Sequence, residues 1–220
     1  MRNLLLALAP FAAPAAYACS VAPGYRVPST LELVEQSDAI IVAQPFDQRT
    51  AADGEPEIRF ASLAILKRAS GGNDDRDRIF VDMPGVLEPE TSAPRSSDPR
   101  DLVRAHPDAY RGGCVRTTFH PKNWVLLFLK RDGDGYRVIS YPFARTAEET
   151  ALPDSRWLKA VREYIAIAAL PPAARHARME VRRDILKARG DADSLAIAAD
   201  IARELASPRK PLREPLPPIE

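Results

Sequence analysis

The chain has only two cysteines in 220 residues and little lysine, which arginine outnumbers 25 to 6. Two cysteines allow one intramolecular bridge at most, which excludes a scaffold held by several disulfides. Past the first stretch no run of eighteen apolar residues occurs, which excludes a membrane-spanning helix there. Excess charge is also missing: without its first 18 residues the chain carries 30 basic and 30 acidic side chains. That balance argues against non-specific nucleic-acid binding, which depends on surplus Lys and Arg. No Gly-x-Ser-x-Gly, His-Glu-x-x-His or phosphate-loop motif is present, so an enzyme would need a site that the sequence does not display. Asn-x-Ser/Thr triplets are absent as well, which suits a bacterial exported protein.

What is present begins with an address. Met1-Arg2-Asn3 is a short cationic start, residues 4–9 are apolar, and Ala16-Tyr17-Ala18 is a small-x-small cleavage signal. Pro10 and Pro14 interrupt the apolar run, which is too short to cross a bilayer, so residues 1–18 read as a signal peptide cleaved after Ala18. The mature protein is then expected in the periplasm or outside the cell. Three roles are open to Cys19: lipid attachment, half of a disulfide, or first residue of the mature chain. Ala16 and Tyr17 stand where a lipoprotein signal would carry leucine and a small residue, which disfavours a lipid anchor. Parity pairs Cys19 with Cys114, closing a loop for which the chain-entropy model gives about 4–5 kcal/mol. The alternative for Cys114 is a small buried hydrophobe.

Along the mature chain, "STLELVEQSD" offers Ser29 as an N-cap with Glu32 three residues on, a capping box that predicts a short helix. "AIIVAQPF", ended by Pro45, reads as a buried strand, "EIRFASLAILKR" as one covered on both faces, and "RIFVDM" follows a turn-rich stretch. Residues 84–113 carry five prolines and read as a long surface insertion. "NWVLLFLKRDGDGYRVISY" is a hairpin turning on residues 132–135. From residue 153 the apolar spacing becomes helical: one helix ending at Pro171-Pro172, a second over 173–189 stopped by Gly190, and a third over 194–206. Residues 207–220 are proline-rich and expected to be disordered.

This order of elements is a leading cysteine, a short helix running into "SDAIIVAQ", strands ending "AILKR" and "RIFVDM", then "GGC" ahead of "NWVLLFL". It resembles the netrin-like domain of the tissue inhibitors of metalloproteinases and their small exported bacterial relatives. The resemblance covers residues 19 to about 141. It implies a five-stranded OB-type barrel over 19–145; together with the helical segment read from spacing over 153–206, the expected fold is mainly β with C-terminal helices. It also implies that Cys19 is tied to a later cysteine. Its inhibitory device would place the free amine and carbonyl of Cys19 on the catalytic zinc of a partner protease, with Ser20 entering the substrate pocket. Animal inhibitors begin Cys-x-Cys and carry further bridges, whereas here the third residue is Val21 and no other cysteine remains.

The other chemistry-bearing residues receive plainer expectations. His106, His120 and His176 have no metal-ligand spacing and read as surface residues; Asp132 and Asp134 read as turn residues, not a calcium loop. Trp157 and Tyr164 at seven-residue spacing read as core instead of a ligand platform, and Arg182, Arg183, Asp184 and Lys187 as a solvated face. The expected function is an exported, non-enzymatic protein-binding module without cofactor or bound metal, inhibiting a secreted zinc metalloprotease. A structural or assembly factor of the bacterial envelope is the alternative, and an enzyme with an unrecognised site the third reading. Intact-mass and N-terminal analysis of exported material is expected to find a chain beginning at Cys19 with a free amine; a diacylglycerol adduct there would overturn that expectation.

Overall fold

The computed structural model describes residues 20–68, 78–93, 95–111, 113–206 and 209–212. The leader, Cys19, the turn-rich residues 69–77 and most of the 207–220 tail lie outside the described residues.

The capping box forms as the sequence implies. Ser29 Oγ accepts from the Glu32 N–H at 3.1 Å, Glu32 Oε2 accepts from the Ser29 N–H at 2.8 Å, and helix α1 runs Thr30–Gln36. Strand β1 (Ala39–Thr50) continues straight through Pro45. A proline is tolerated there because β1 pairs with β6 only over residues 39–43, and a bulge between Pro45 and Asp47 absorbs the lost donor on the other side. Strands β2 (Pro56–Arg68) and β3 (Phe80–Pro84) complete an antiparallel meander. Strand β6 (Trp124–Asp132) lies on the far side of β1, and its edge is shared by β7 (Gly135–Val138) and β8 (Ala147–Thr150). A short parallel pair, β4 (Val86–Leu87) with β5 (Thr118–Phe119), stands beside this sheet. Gly85 makes that pair possible, since a Cβ there would sit 2.8 Å from the Thr117 carbonyl.

The expectation of a β fold followed by C-terminal helices holds in outline, and the expectation of a barrel is corrected. Among the described residues the fold is mixed, an antiparallel sheet with four helices, and the sheet does not close into a barrel. Edge strands β3 and β7 approach within 8 Å between Cα atoms but share no ladder.

Two apolar clusters follow from the strand periodicity of two. Ile41, Ala43, Val125, Leu127 and Leu129 point to the concave side, where they meet Ile58, Phe60, Val81 and Phe119. Ile40, Val42, Leu126 and Phe128 point the other way, into the helices. Helices α2 (Arg156–Ala168), α3 (Pro172–Arg189) and α4 (Ala192–Leu205) supply Trp157, Leu158, Val161, Tyr164, Met179, Leu186 and Ile201 to that second cluster. Sheet and helices therefore share one core. Gly190, at φ 75°, is the left-handed stop of α3, and the Asp191 carboxylate caps α4. Tyr164 donates to Asp200 at 2.8 Å, and Arg203 holds the other carboxylate oxygen, so α2 and α4 are latched by a polar bond within the apolar layer. At the tail, the Leu212 N–H donates to the Tyr25 carbonyl at 2.7 Å.

Trp157 is fully buried, 6.3 Å from the Phe128 ring, so it is a keystone between helices and sheet and no ligand platform. Trp157→Ala should cost about 3–5 kcal/mol. Urea unfolding measures this; a loss below about 1 kcal/mol would show that the helical layer is not held through this side chain.

Candidate functional site

The segment that leads back to the expected mature terminus is extended and anchored. Ser20 is exposed, Gly24 turns the chain at φ 79°, and the Tyr25 N–H closes that turn on the Ala22 carbonyl. The Tyr25 hydroxyl reaches across to donate to the Pro142 carbonyl at 2.7 Å. The neighbouring Phe143 N–H donates to the Cys114 carbonyl at 2.7 Å. Residues 20–28 are therefore laid against the strip that contains Cys114. Both Cys114 and Phe143 have φ 58°, a left-handed backbone that costs side-chain-bearing residues of order 1 kcal/mol each. Cys114 is buried, and no described cysteine is a free thiol. Its expected partner Cys19 lies outside the described residues, so the bridge between them remains an expectation.

Behind this strip is a knot of buried charge. Arg116, two residues past Cys114, directs its guanidinium at Glu149 of β8, at the Ala147 and Thr118 carbonyls, and over the Phe119 ring at 4.1 Å. The second oxygen of Glu149 accepts from the Ser97 N–H and hydroxyl at 2.7 and 2.5 Å, while Asn123 donates at 3.3 Å to the oxygen that Arg116 holds. Burial pushes the Glu149 carboxyl upward, but the Arg116 charge and the Ser97 bonds outweigh it and hold the group below the usual carboxylate range. Adjacent Glu148 points to the opposite face of the strand, where it accepts from the His106 N–H at 3.0 Å and leaves Oε2 without a partner. Burial dominates there and raises its carboxyl. Arg145 completes the group, donating to the Arg104 and Asp98 carbonyls and stacking over Trp157 at 4.5 Å.

The expected insertion is tied to the body of the protein through this knot: Leu102, Ala105, His106 and Asp108 are buried, and carboxylates from β8 accept from the Ser97 and His106 N–H groups. The knot corrects the expectation that His106 and His120 are surface residues. His106 is fully buried: Nδ1 accepts from the Asp108 N–H and Nε2 faces the Arg95 carbonyl, so the ring is a neutral Nε2–H donor, and burial lowers its pKa. His120 accepts from the Lys122 N–H, with Nε2 buried and unpartnered. His176 is exposed and sits 3.9 Å from Glu180. Asp132 and Asp134 are exposed at the β6–β7 turn. No group of three metal-ligating side chains converges among the described residues.

Beside the anchor, a cleft of about 550 Å³ runs between Ser97, Asp101, Arg104 and Tyr110, and the Tyr110 ring stacks on Phe143 at 5.4 Å. The knot escaped sequence reading because "AEET" carries no signal that separates a buried pair of glutamates from a solvated one. No family model matches the chain, and no curated protein is detectably similar to it.

The two glutamates should respond unequally to the same substitution. Glu149→Gln strands Arg116 in the interior and should cost about 3–5 kcal/mol at neutral pH. Glu148→Gln keeps an acceptor for the His106 N–H and replaces a carboxyl whose charged form burial already disfavours, so it should cost far less than Glu149→Gln. Because Glu149 titrates lower when folded, its contribution is present above the unfolded carboxyl value and lost as pH falls through the folded one. Glu149→Gln should lack that acid-side loss. Equal losses for both variants in urea unfolding across pH 3–7 would refute this division.

Proposed function

We propose that the chain is an exported, non-enzymatic protein-binding module of the netrin-like type, which inhibits a secreted zinc metalloprotease through its mature N-terminus. The observation that carries this reading is the docking of residues 20–28 against the Cys114–Phe143 strip by the Tyr25 bond to Pro142. A Cys19–Cys114 bridge would complete that anchorage, leaving the Cys19 amine and carbonyl and the exposed Ser20 at a rigid edge. The strand order β3-β2-β1-β6-β7, with β3 returning beside β7, supports the same reading, since an OB-type barrel opened at that seam has this order.

The chemistry is displacement. A catalytic zinc keeps one position open for water, and a neutral amine with a neighbouring carbonyl oxygen can take that position. An edge already held by Tyr25 and the buried knot loses little freedom on binding. Ser20 would then lie in the protease's substrate pocket.

The mature chain and a version with one alanine ahead of Cys19 should be assayed against a panel of secreted zinc proteases. The native start should inhibit, and the extended one should not, because its amine has become an amide. Ser20→Gly should weaken inhibition more modestly. Equal inhibition by both forms, or none by either, refutes the zinc-chelation mechanism.

A further inference from the structure

Helix α3 is the most basic and least covered element of the fold. Among its eighteen residues stand Arg175, Arg178, Arg182, Arg183, Lys187 and Arg189 against only Glu180 and Asp184. Three of the arginines are engaged: Arg175 with Glu35, Arg182 with Glu163 and Arg183 with Asp184. Arg178, Lys187 and Arg189 have no ion pair among the described residues. Only Met179 and Leu186 of the helix are buried. Well away from them in helical angle runs an exposed stripe of Ala174, Ala177, Val181, Ile185 and Ala188, in which Val181 is 50% and Ile185 40% exposed.

We propose that α3 docks the protein onto an anionic membrane surface, with Val181 and Ile185 facing the lipid and Arg178, Lys187 and Arg189 engaging acidic headgroups. Charge complementarity argues for this occupant, and the distribution of the cations argues for a surface over a protein groove. They are spread over about 16 Å of helix and converge on no pocket. α3 packs on α4 and α2, and no cavity described above takes a lining residue from it. Its apolar stripe is shallow, built of alanine, valine and isoleucine, which suits a plane better than a deep hydrophobic slot. This attachment is independent of the N-terminal edge.

The test uses the mature full-length chain and co-sedimentation with vesicles of mixed phosphatidylglycerol and phosphatidylcholine, against vesicles of phosphatidylcholine alone. Binding is expected to the first only, weakening steeply as salt rises. Each removed cation should weaken it about fivefold, so the triple variant Arg178→Gln/Lys187→Gln/Arg189→Gln should lose about a hundredfold. Val181→Ser/Ile185→Ser should lose binding severalfold without a change in melting temperature, since both side chains are exposed. Arg137→Gln, an exposed cation on β7 without an ion pair among the described residues, is the control for the loss of one positive charge and should bind like the parent, whereas Arg178→Gln alone should weaken binding about fivefold. Equal binding to both vesicle types, no binding to either, or an equal effect of the control overturns the proposal. So does failure on vesicles combined with α3-dependent binding to polyglutamate, which would assign the helix to an acidic protein partner.

Discussion

Strands β1 and β6 are apolar on both faces, and the remaining architecture answers that constraint. A sheet whose central residues alternate Ile40 and Ile41, or Leu126 and Leu127, between two sides has no side to give to water. Curling the sheet around Phe60 and Phe119 covers one face. The other needs a separate layer, and α1, α2 and α4 provide it through Trp157, Val161, Tyr164 and Ile201. The C-terminal helices are thus required by the sheet's composition.

A second dependence runs through β8. This four-residue strand sends one glutamate to each side of the sheet, and each carboxylate accepts one backbone N–H of the segment before β5, Ser97 for Glu149 and His106 for Glu148. Arg116 and Arg145 bring compensating charge from flanking loops and stack it on aromatic rings. The buried network defines the path of residues 95–118, including the strip on which the N-terminal segment rests. It contributes position more than stability, because burying such charges costs nearly what their pairing returns.

The local elements were legible in the sequence wherever a short-range rule dominates. The Ser29–Glu32 box, the hairpin at residues 132–135, and the two helices ended by Pro171 and Gly190 all depend on neighbours within a few positions. What failed depends on distant partners. Pro45 should end a strand, yet it is tolerated because β6 stops pairing two residues earlier. The prolines of 84–113 suggest an exposed loop, but Ser97 and His106 within it are buried because Glu149 and Glu148, some forty to fifty positions on, accept their N–H groups. His106 was misplaced for the same reason: its burial is set by the Arg95 carbonyl and Glu148, neither of which any local pattern reveals. Of the candidate site, the anchoring role of Tyr25 through Pro142 was equally invisible, at a separation of 117 positions.

The open seam between β3 and β7 also has a mechanical meaning. Every other boundary between adjacent strands in the main sheet is stitched by main-chain hydrogen bonds, so widening the sheet elsewhere would break several together. At the seam only side-chain packing resists, from residues such as Val81, Met83, Tyr136 and Val138. The fold therefore has one compliant line: the sheet can breathe along it, changing its curvature and the volume of its concave core without losing a ladder.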